Sequence, residues 1–121
     1  MKKTEMIKRR QEFKILFSKG KIIYSKNITL YFLNNKKREN GLGIAVSKKS
    51  GNAVERNHIK RLIRENYKCF EGKISTGYNI LFSVNKKSEI DKINFYDVKK
   101  EMEMLLKKSG LWNEENEEDI N

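Results

Sequence analysis

A chain of 121 residues is long enough for one domain with a hydrophobic core and too short for two. Its formal net charge of +11 favours a polyanionic partner, either nucleic acid or an anionic membrane surface. The membrane is the weaker choice, because no apolar run approaches a membrane-spanning length and the N-terminus lacks the apolar centre of a secretion signal. We therefore expect a cytoplasmic protein with no membrane partner. No protein partner is predicted.

The charge is distributed unevenly along the chain. Residues 1–108 carry 27 Lys+Arg against 11 Asp+Glu, a net charge of +16, whereas residues 109–121 carry five acidic residues and no basic ones. We predict a flexible basic arm at residues 1–9 and a single domain at residues 10–108. Residues 109–121 are then an acidic tail, which we expect to be disordered beyond Trp112.

The first predicted element is a helix over residues 10–19, with Phe13, Leu16 and Phe17 on one face and Gly20 as its stop. Two aromatic side chains one turn apart have two interpretations. They are either part of the buried core or a stacking platform for unpaired bases.

Strands are predicted at residues 28–33, 42–46 and 78–84, and residues 21–24 are predicted to form either a short strand or an extended loop. The polar residues 34–41 suggest a hairpin turn between strands 28–33 and 42–46. Gly43 and Ala45 leave one face of strand 42–46 nearly bare, so a helix or a ligand backbone could approach it closely. A last helix should begin at Asn94 or Asp97 and end near Lys108. Its predicted buried side consists of Val98, Met102, Leu105 and Leu106.

The stretch from residue 47 to residue 67 carries the strongest pattern. Asn52 as N-cap and Glu55 three residues later form a capping-box signature, which predicts a helix from about Ala53 to about Lys68. At helical spacing its apolar arc contains Ile59, Leu62, Ile63, Tyr67 and Phe70. The neighbouring arc is polar and mostly cationic, and it contains Arg56, Asn57, Lys60, Arg61, Arg64 and Lys68.

The basic arc could be an ordinary solvated face. Against that interpretation, the helix holds only Glu55 and Glu65 as acidic partners, so ion pairing along the helix does not explain its cations. Arginine also suits bidentate phosphate contacts better than solubility alone requires. Lys48 and Lys49, followed by Ser50, Gly51 and a helix N-terminus, would suit an anion cradle. They lack the spacing of a nucleotide-hydrolysing phosphate loop.

The element order is helix, strands, helix, strand, helix, which favours an α+β fold with helices packed on a small sheet. No protein active site is predicted. His58 is the only histidine and Cys69 the only cysteine, so a catalytic triad and a protein-held zinc site are improbable. The carboxylates are scattered, which argues against a two-metal nuclease site or a glycosidase pair.

Residues 46–64, VSKKSGNAVERNHIKRLIR, resemble the signature of the protein component of bacterial ribonuclease P. The resemblance extends to Glu12-Phe13, Phe17 and Gly20, to Tyr31, and to residues 41–46, so that it covers roughly residues 8–108. It implies a small two-layer α/β sandwich of about four strands and three helices. It also implies a left-handed βαβ crossover, against the usual right-handed preference.

The resemblance further implies an endoribonuclease subunit whose chemistry is carried by a catalytic RNA. That RNA, with Mg²⁺ that it holds itself, removes the 5′ leader of precursor tRNA, so residues 10–108 become an RNA-binding domain with no catalytic residue. Its implied contacts with the catalytic RNA are Lys48, Lys49, Arg56, Asn57, His58, Lys60, Arg61, Arg64 and Lys68. The implied leader-binding cleft is lined by Phe13, Phe17 and Tyr31, with Lys60 and Arg61 at its edge.

Two departures from the family pattern are visible. His58 stands where the family usually has arginine, and the acidic tail replaces a C-terminus that is often basic. One alternative is a ribosomal or general single-stranded RNA-binding protein, which would use the same basic helix without a role in tRNA processing. Another is a protein-only nuclease in which His58 would be a general acid or base.

Overall fold

The computed structural model describes residues 3–114. The strands are β1 (Thr4–Met6), β2 (Lys21–Tyr24), β3 (Ile28–Asn34), β4 (Asn40–Ala45) and β5 (Tyr78–Val84). The helices are α1 (Arg10–Lys19), α2 (Ala53–Phe70) and α3 (Phe95–Ser109). The strands form one sheet in the order β1-β4-β5-β3-β2, in which β4 is parallel to both β1 and β5 and the remaining pairs are antiparallel. The predicted α+β class is confirmed.

Both long helices begin where side chains satisfy their first backbone N–H groups. Asn52 accepts from the Glu55 N–H at 2.8 Å while Glu55 accepts from the Asn52 N–H at 3.0 Å. Asn94 and Asp97 repeat this capping box at the start of α3. The box satisfies N–H groups that have no partner within the helix, so it confirms the predicted start of α2 at Ala53 and, of the two predicted starts of α3, selects Asn94 as the N-cap.

The predicted hairpin between β3 and β4 is wrong, because β5 lies between these two strands. The physical reason is the composition of β5. Ile80, Leu81 and Phe82 are all fully buried, so β5 presents apolar side chains to both faces of the sheet. Such a strand is most stable in the centre of a sheet, where both of its faces can be covered.

The predicted flexible arm is also wrong for residues 4–6, which form the fifth strand that the sequence did not predict. β1 pairs with residues 40–42 of β4. The buried Thr4 hydroxyl lies 2.7 Å from the Tyr67 hydroxyl, and the Lys3 N–H donates to Glu71 at 3.1 Å. These contacts attach the N-terminal segment to the sheet and to the C-terminal part of α2.

The domain continues beyond residue 108. Leu111 is buried, and Trp112 forms an isolated antiparallel bridge with Ile74. The indole also packs edge-on against Phe70, with ring centroids 5.3 Å apart. Residues 109–112 therefore belong to the folded domain. Residues 115–121, with most of the acidic tail, lie outside the described residues.

The sheet has two unlike faces. α2 and α3 cover one face, where alternate residues of β3 and β5 form the main core with both helices. α1 covers part of the other face through a smaller cluster around Ile7, Leu16 and Leu81. α2 connects the parallel neighbours β4 and β5, which makes a βαβ unit whose left-handed sense stays a prediction. Among residues 3–114, no helix combines the length and apolar character that a membrane crossing requires.

Candidate nucleic-acid interface

The exposed side of α2 is the cationic surface that the sequence predicted. All five residues of the predicted apolar arc are buried in the main core, which turns the opposite side of the helix to solvent. Asn57, His58, Arg61 and Arg64 line one shallow depression on that side, together with the exposed Val54. We call this depression the α2 surface. It assembles four of the nine residues expected to contact RNA, while Lys68 is exposed farther along the same helix.

The cations of α2 are largely free of acidic partners. Arg61 forms an ion pair with Glu65 at 3.8 Å, and both side chains are at least half exposed. Exposed pairs of this kind contribute little, because solvent screens them and ordering two long side chains costs entropy. Within residues 3–114, no ion pair involves the remaining α2 cations, which leaves their charge available to a polyanion.

Arg56 has a second role that the sequence did not reveal. Its Nη1 donates to the Gly51 carbonyl at 2.6 Å and lies 3.5 Å from the Lys48 carbonyl. The guanidinium therefore holds the loop that precedes α2, and it lies on the flank of the helix between the core and the α2 surface. The sequence shows the charge of Arg56, but nothing in its spacing indicates that two backbone carbonyls would accept from it.

The loop before α2 presents Lys48 and Lys49, and only part of the expected anion cradle is available. Both lysines are exposed on a short 3₁₀ turn, which Ser47 stabilises by accepting from the Lys49 N–H at 3.2 Å. The Ser50 hydroxyl is buried and so cannot reach an anion at the surface. The capping box already occupies the N–H groups of Asn52 and Glu55. An anion bound here would depend on the two lysines and on the first two N–H groups of α2, at Ala53 and Val54, which the capping box does not occupy.

The predicted leader-binding cleft lies on the other face of the sheet, where α1 packs over β3, β4 and β5. Phe17 and Tyr31 meet edge-to-face with ring centroids 4.8 Å apart at 74°. Phe17 remains 43% exposed, and Tyr31 is partly buried. Burial, and to a smaller extent the nearby Tyr24, raise the pKa of Tyr31 above its ordinary value, which already keeps a tyrosine hydroxyl neutral at pH 7. The two rings offer an aromatic surface without charge.

Phe13 belongs mainly to the packing of this face. A Cβ added to Gly43 would lie 2.9 Å from Phe13 Cε1 and 3.2 Å from Leu81 Cδ1, closer than ordinary van der Waals contact. The nearly bare face of β4 therefore admits a side chain of α1 rather than a ligand backbone. Of the three predicted aromatic residues, Phe17 and Tyr31 form the open surface, whereas Phe13 packs against Gly43 and the cluster around Leu81.

Gly43→Ala is expected to lower the free energy of unfolding by about 1–3 kcal/mol, because the added methyl group must displace the Phe13 ring and with it α1. Chemical denaturation monitored by circular dichroism measures this change. Gly72→Ala is the matched control, since a Cβ at Gly72 meets no atom within 4 Å. Equal stability of the two variants would show that α1 does not need the close approach to β4.

None of the contacts described for the cleft involves Lys60 or Arg61. They lie on α2, which packs on the face of the sheet opposite to α1. Their position at the edge of the cleft stays a prediction.

Comparison with known proteins identifies the family. The profile of the family described as Ribonuclease P matches residues 1–110. The chain belongs to this family. The ribonuclease P protein component of Caldanaerobacter subterraneus is 36% identical over 112 residues, which cover 93% of this chain and 95% of that protein.

Solved structures agree with this assignment. The ribonuclease P protein of Staphylococcus aureus superposes with a TM-score of 0.80 at 34% identity, covering 89% of this chain and 97% of that one. The ribonuclease P protein of Thermotoga maritima gives 0.77 at 31% identity, covering 86% and 96%. Membership makes this chain a protein subunit of ribonuclease P, with RNase P RNA as its partner and removal of the tRNA 5′ leader as its process. It disfavours the alternative of a ribosomal or general RNA-binding protein.

Proposed function

We propose that this subunit binds RNase P RNA through the α2 surface and holds the single-stranded 5′ leader of precursor tRNA in the cleft between α1 and the sheet. The RNA then carries out the hydrolysis in the cytoplasm. The protein raises the affinity of the holoenzyme for precursor over mature tRNA, because only the precursor has a leader to occupy the cleft.

The observation that carries this proposal is the separation of two chemically different surfaces by one sheet. The α2 surface is cationic and hydrogen-bonding, which suits the phosphates of a folded RNA. The cleft presents two uncharged aromatic rings, which suit stacking against unpaired bases of any sequence. One protein can therefore bind the catalytic RNA and a single strand at the same time without the two competing.

The division of chemistry between protein and RNA is also part of the proposal. Among residues 3–114, no group of three or more His, Cys, Asp or Glu side chains is placed to hold a metal ion. His58 is exposed on the α2 surface beside arginines, where a phosphate contact suits it better than general acid or base chemistry. We therefore assign Mg²⁺ to the RNA and derive no step through the metal.

Reconstitution tests the proposed function. The protein is added to a bacterial RNase P RNA at low magnesium, and removal of the leader from precursor tRNA is measured against the RNA alone and the protein alone. We expect the protein to accelerate cleavage by the RNA, since its cations offset the repulsion between two polyanions. Cleavage by the purified protein alone, or no stimulation of the RNA, would contradict the proposal.

A further inference from the structure

The aromatic surface of the cleft continues past Tyr31 to the outermost strand of the sheet. In the antiparallel pair of β2 and β3, Ile22 lies opposite Tyr31 and Tyr24 lies opposite Thr29. Residues directly opposite each other in such a pair point to the same face of the sheet, and side chains two apart on one strand share a face. Tyr24 is therefore on the same face as Tyr31, whereas Ile23 packs against the main core on the other face.

Tyr24 is near Tyr31 and open to solvent. Diagonal neighbours across an antiparallel pair lie about 7–8 Å apart or less, within reach of aromatic side chains. The contribution of Tyr24 to the raised pKa of Tyr31 agrees with this proximity. Tyr24 is 69% exposed and Ile22 is 39% exposed, so no element of the described structure covers this end of the face.

The charges around this aromatic surface favour one kind of ligand. Residues 13–38 contain seven Lys+Arg and no acidic residue. This segment includes residues 13–19 of α1 and all of β2 and β3, while Glu12 in the first turn of α1 lies just outside it. Lys19, Lys21 and Lys26 are exposed at the two ends of β2. A row of exposed rings bordered by lysines matches a single-stranded nucleic acid, whose bases stack while its phosphates meet the cations. An apolar peptide would gain nothing from the lysines.

We propose, on the basis of the function proposed above, that Tyr24 extends the leader-binding cleft by one base-stacking position. Phe17 and Tyr31 stack on one part of the leader, and Tyr24 stacks on a nucleotide beyond them at the β2 edge of the sheet. This chain therefore interacts with a longer stretch of leader than Phe17 and Tyr31 could hold alone.

The test uses the holoenzyme reconstituted with a bacterial RNase P RNA and precursor tRNAs whose leaders are lengthened one nucleotide at a time. For the unmodified protein, affinity should rise with leader length and then level off. Tyr24→Ala should level off at a shorter leader, with affinity for the longest leader lower by about fivefold. Tyr24→Phe should keep the full length dependence, because the ring rather than the hydroxyl makes the contact.

Tyr96→Ala is the matched control, since Tyr96 is also 69% exposed but lies on α3, on the other side of the sheet. It should show the unmodified length dependence. The inference is overturned if Tyr24→Ala follows the same length dependence as the unmodified protein while Phe17→Ala loses affinity. If the unmodified protein itself shows no dependence on the leader, both the inference and the proposed leader-binding role are overturned.

Discussion

Arg56→Ala is expected to weaken assembly with RNase P RNA by about a hundredfold, more than the loss of a single phosphate contact would. The guanidinium supplies one cation, and it also holds the preceding loop through the Gly51 and Lys48 carbonyls. Without it, Lys48 and Lys49 are no longer presented in a fixed position, so three cations are affected by one substitution. RNA binding measured over a series of salt concentrations tests this expectation.

Arg64→Ala is the control for this prediction, because Arg64 lines the α2 surface without holding the loop. We expect about a tenfold loss, and a salt dependence whose log-log slope falls by about 0.7–0.9. Arg56→Lys keeps the charge but not the planar fork of donors, and should lie between the two alanine variants. If Arg56→Ala and Arg64→Ala weakened binding equally, the loop-holding role of Arg56 would be refuted.

Glu101→Ala is expected to lower the free energy of unfolding by about 2–4 kcal/mol, a large effect for one acidic residue of a helix. Its Oε1 accepts from the Ser25 hydroxyl at 2.6 Å, the Asn27 N–H at 2.9 Å and the Ile28 N–H at 3.1 Å. Its Oε2 accepts from Asn27 Nδ2 at 2.6 Å. Removing the carboxylate leaves the N–H groups of Asn27 and Ile28 and the Asn27 side-chain amide without this acceptor, whereas the Ser25 hydroxyl can still donate to the Ile28 carbonyl at 2.7 Å. Denaturant titration measures the loss.

The same substitution should also weaken binding of the leader in the cleft. Glu101 holds the turn between β2 and β3 against α3 through hydrogen bonds, and these two strands carry Tyr24 and Tyr31. We therefore expect Glu101→Ala to reduce leader affinity as well as stability. Glu103→Ala is the control on the same helix, since among residues 3–114 Glu103 pairs with Lys107 alone, at the surface, and its cost should stay within about 0.5 kcal/mol. Equal destabilisation by both variants would contradict the bracing role of Glu101.

Local signals in the sequence predicted the helices well. Capping boxes and apolar periodicity act within one or two turns, so the start of α2 near Ala53 could be predicted without knowing the fold, and that of α3 could be narrowed to Asn94 or Asp97. The cationic side of α2 was predictable for the same reason, because burial of one arc exposes the other.

Strand pairing was not predictable by the same means. Whether β4 pairs with β3 or with β5 is decided by contacts between residues far apart in sequence, and the strong burial of β5 outweighed the turn-like composition of residues 34–41. β1 is only three residues long, and its register depends on the buried Thr4–Tyr67 contact. A short, charged N-terminal segment carries no periodicity from which such a contact could be inferred.

The residue types could be predicted from the sequence, but the role of each residue could not. Arg56, Phe13 and Glu101 each act through partners that only the fold brings near: two backbone carbonyls, a glycine on β4, and a turn between strands. Tyr24 illustrates the same limit, because its place beside Tyr31 follows from strand register rather than from spacing along the chain.

The central claim is that the α2 surface binds the catalytic RNA and the opposite cleft binds the leader. Measuring two quantities on two variants tests it most directly. These are the affinity for RNase P RNA and the preference of the assembled holoenzyme for precursor over mature tRNA. Arg64→Ala should weaken RNA binding and leave the preference intact. Phe17→Ala should leave RNA binding intact and reduce the preference by about 1–3 kcal/mol. If both variants changed both quantities in equal proportion, the separation into two surfaces would be contradicted.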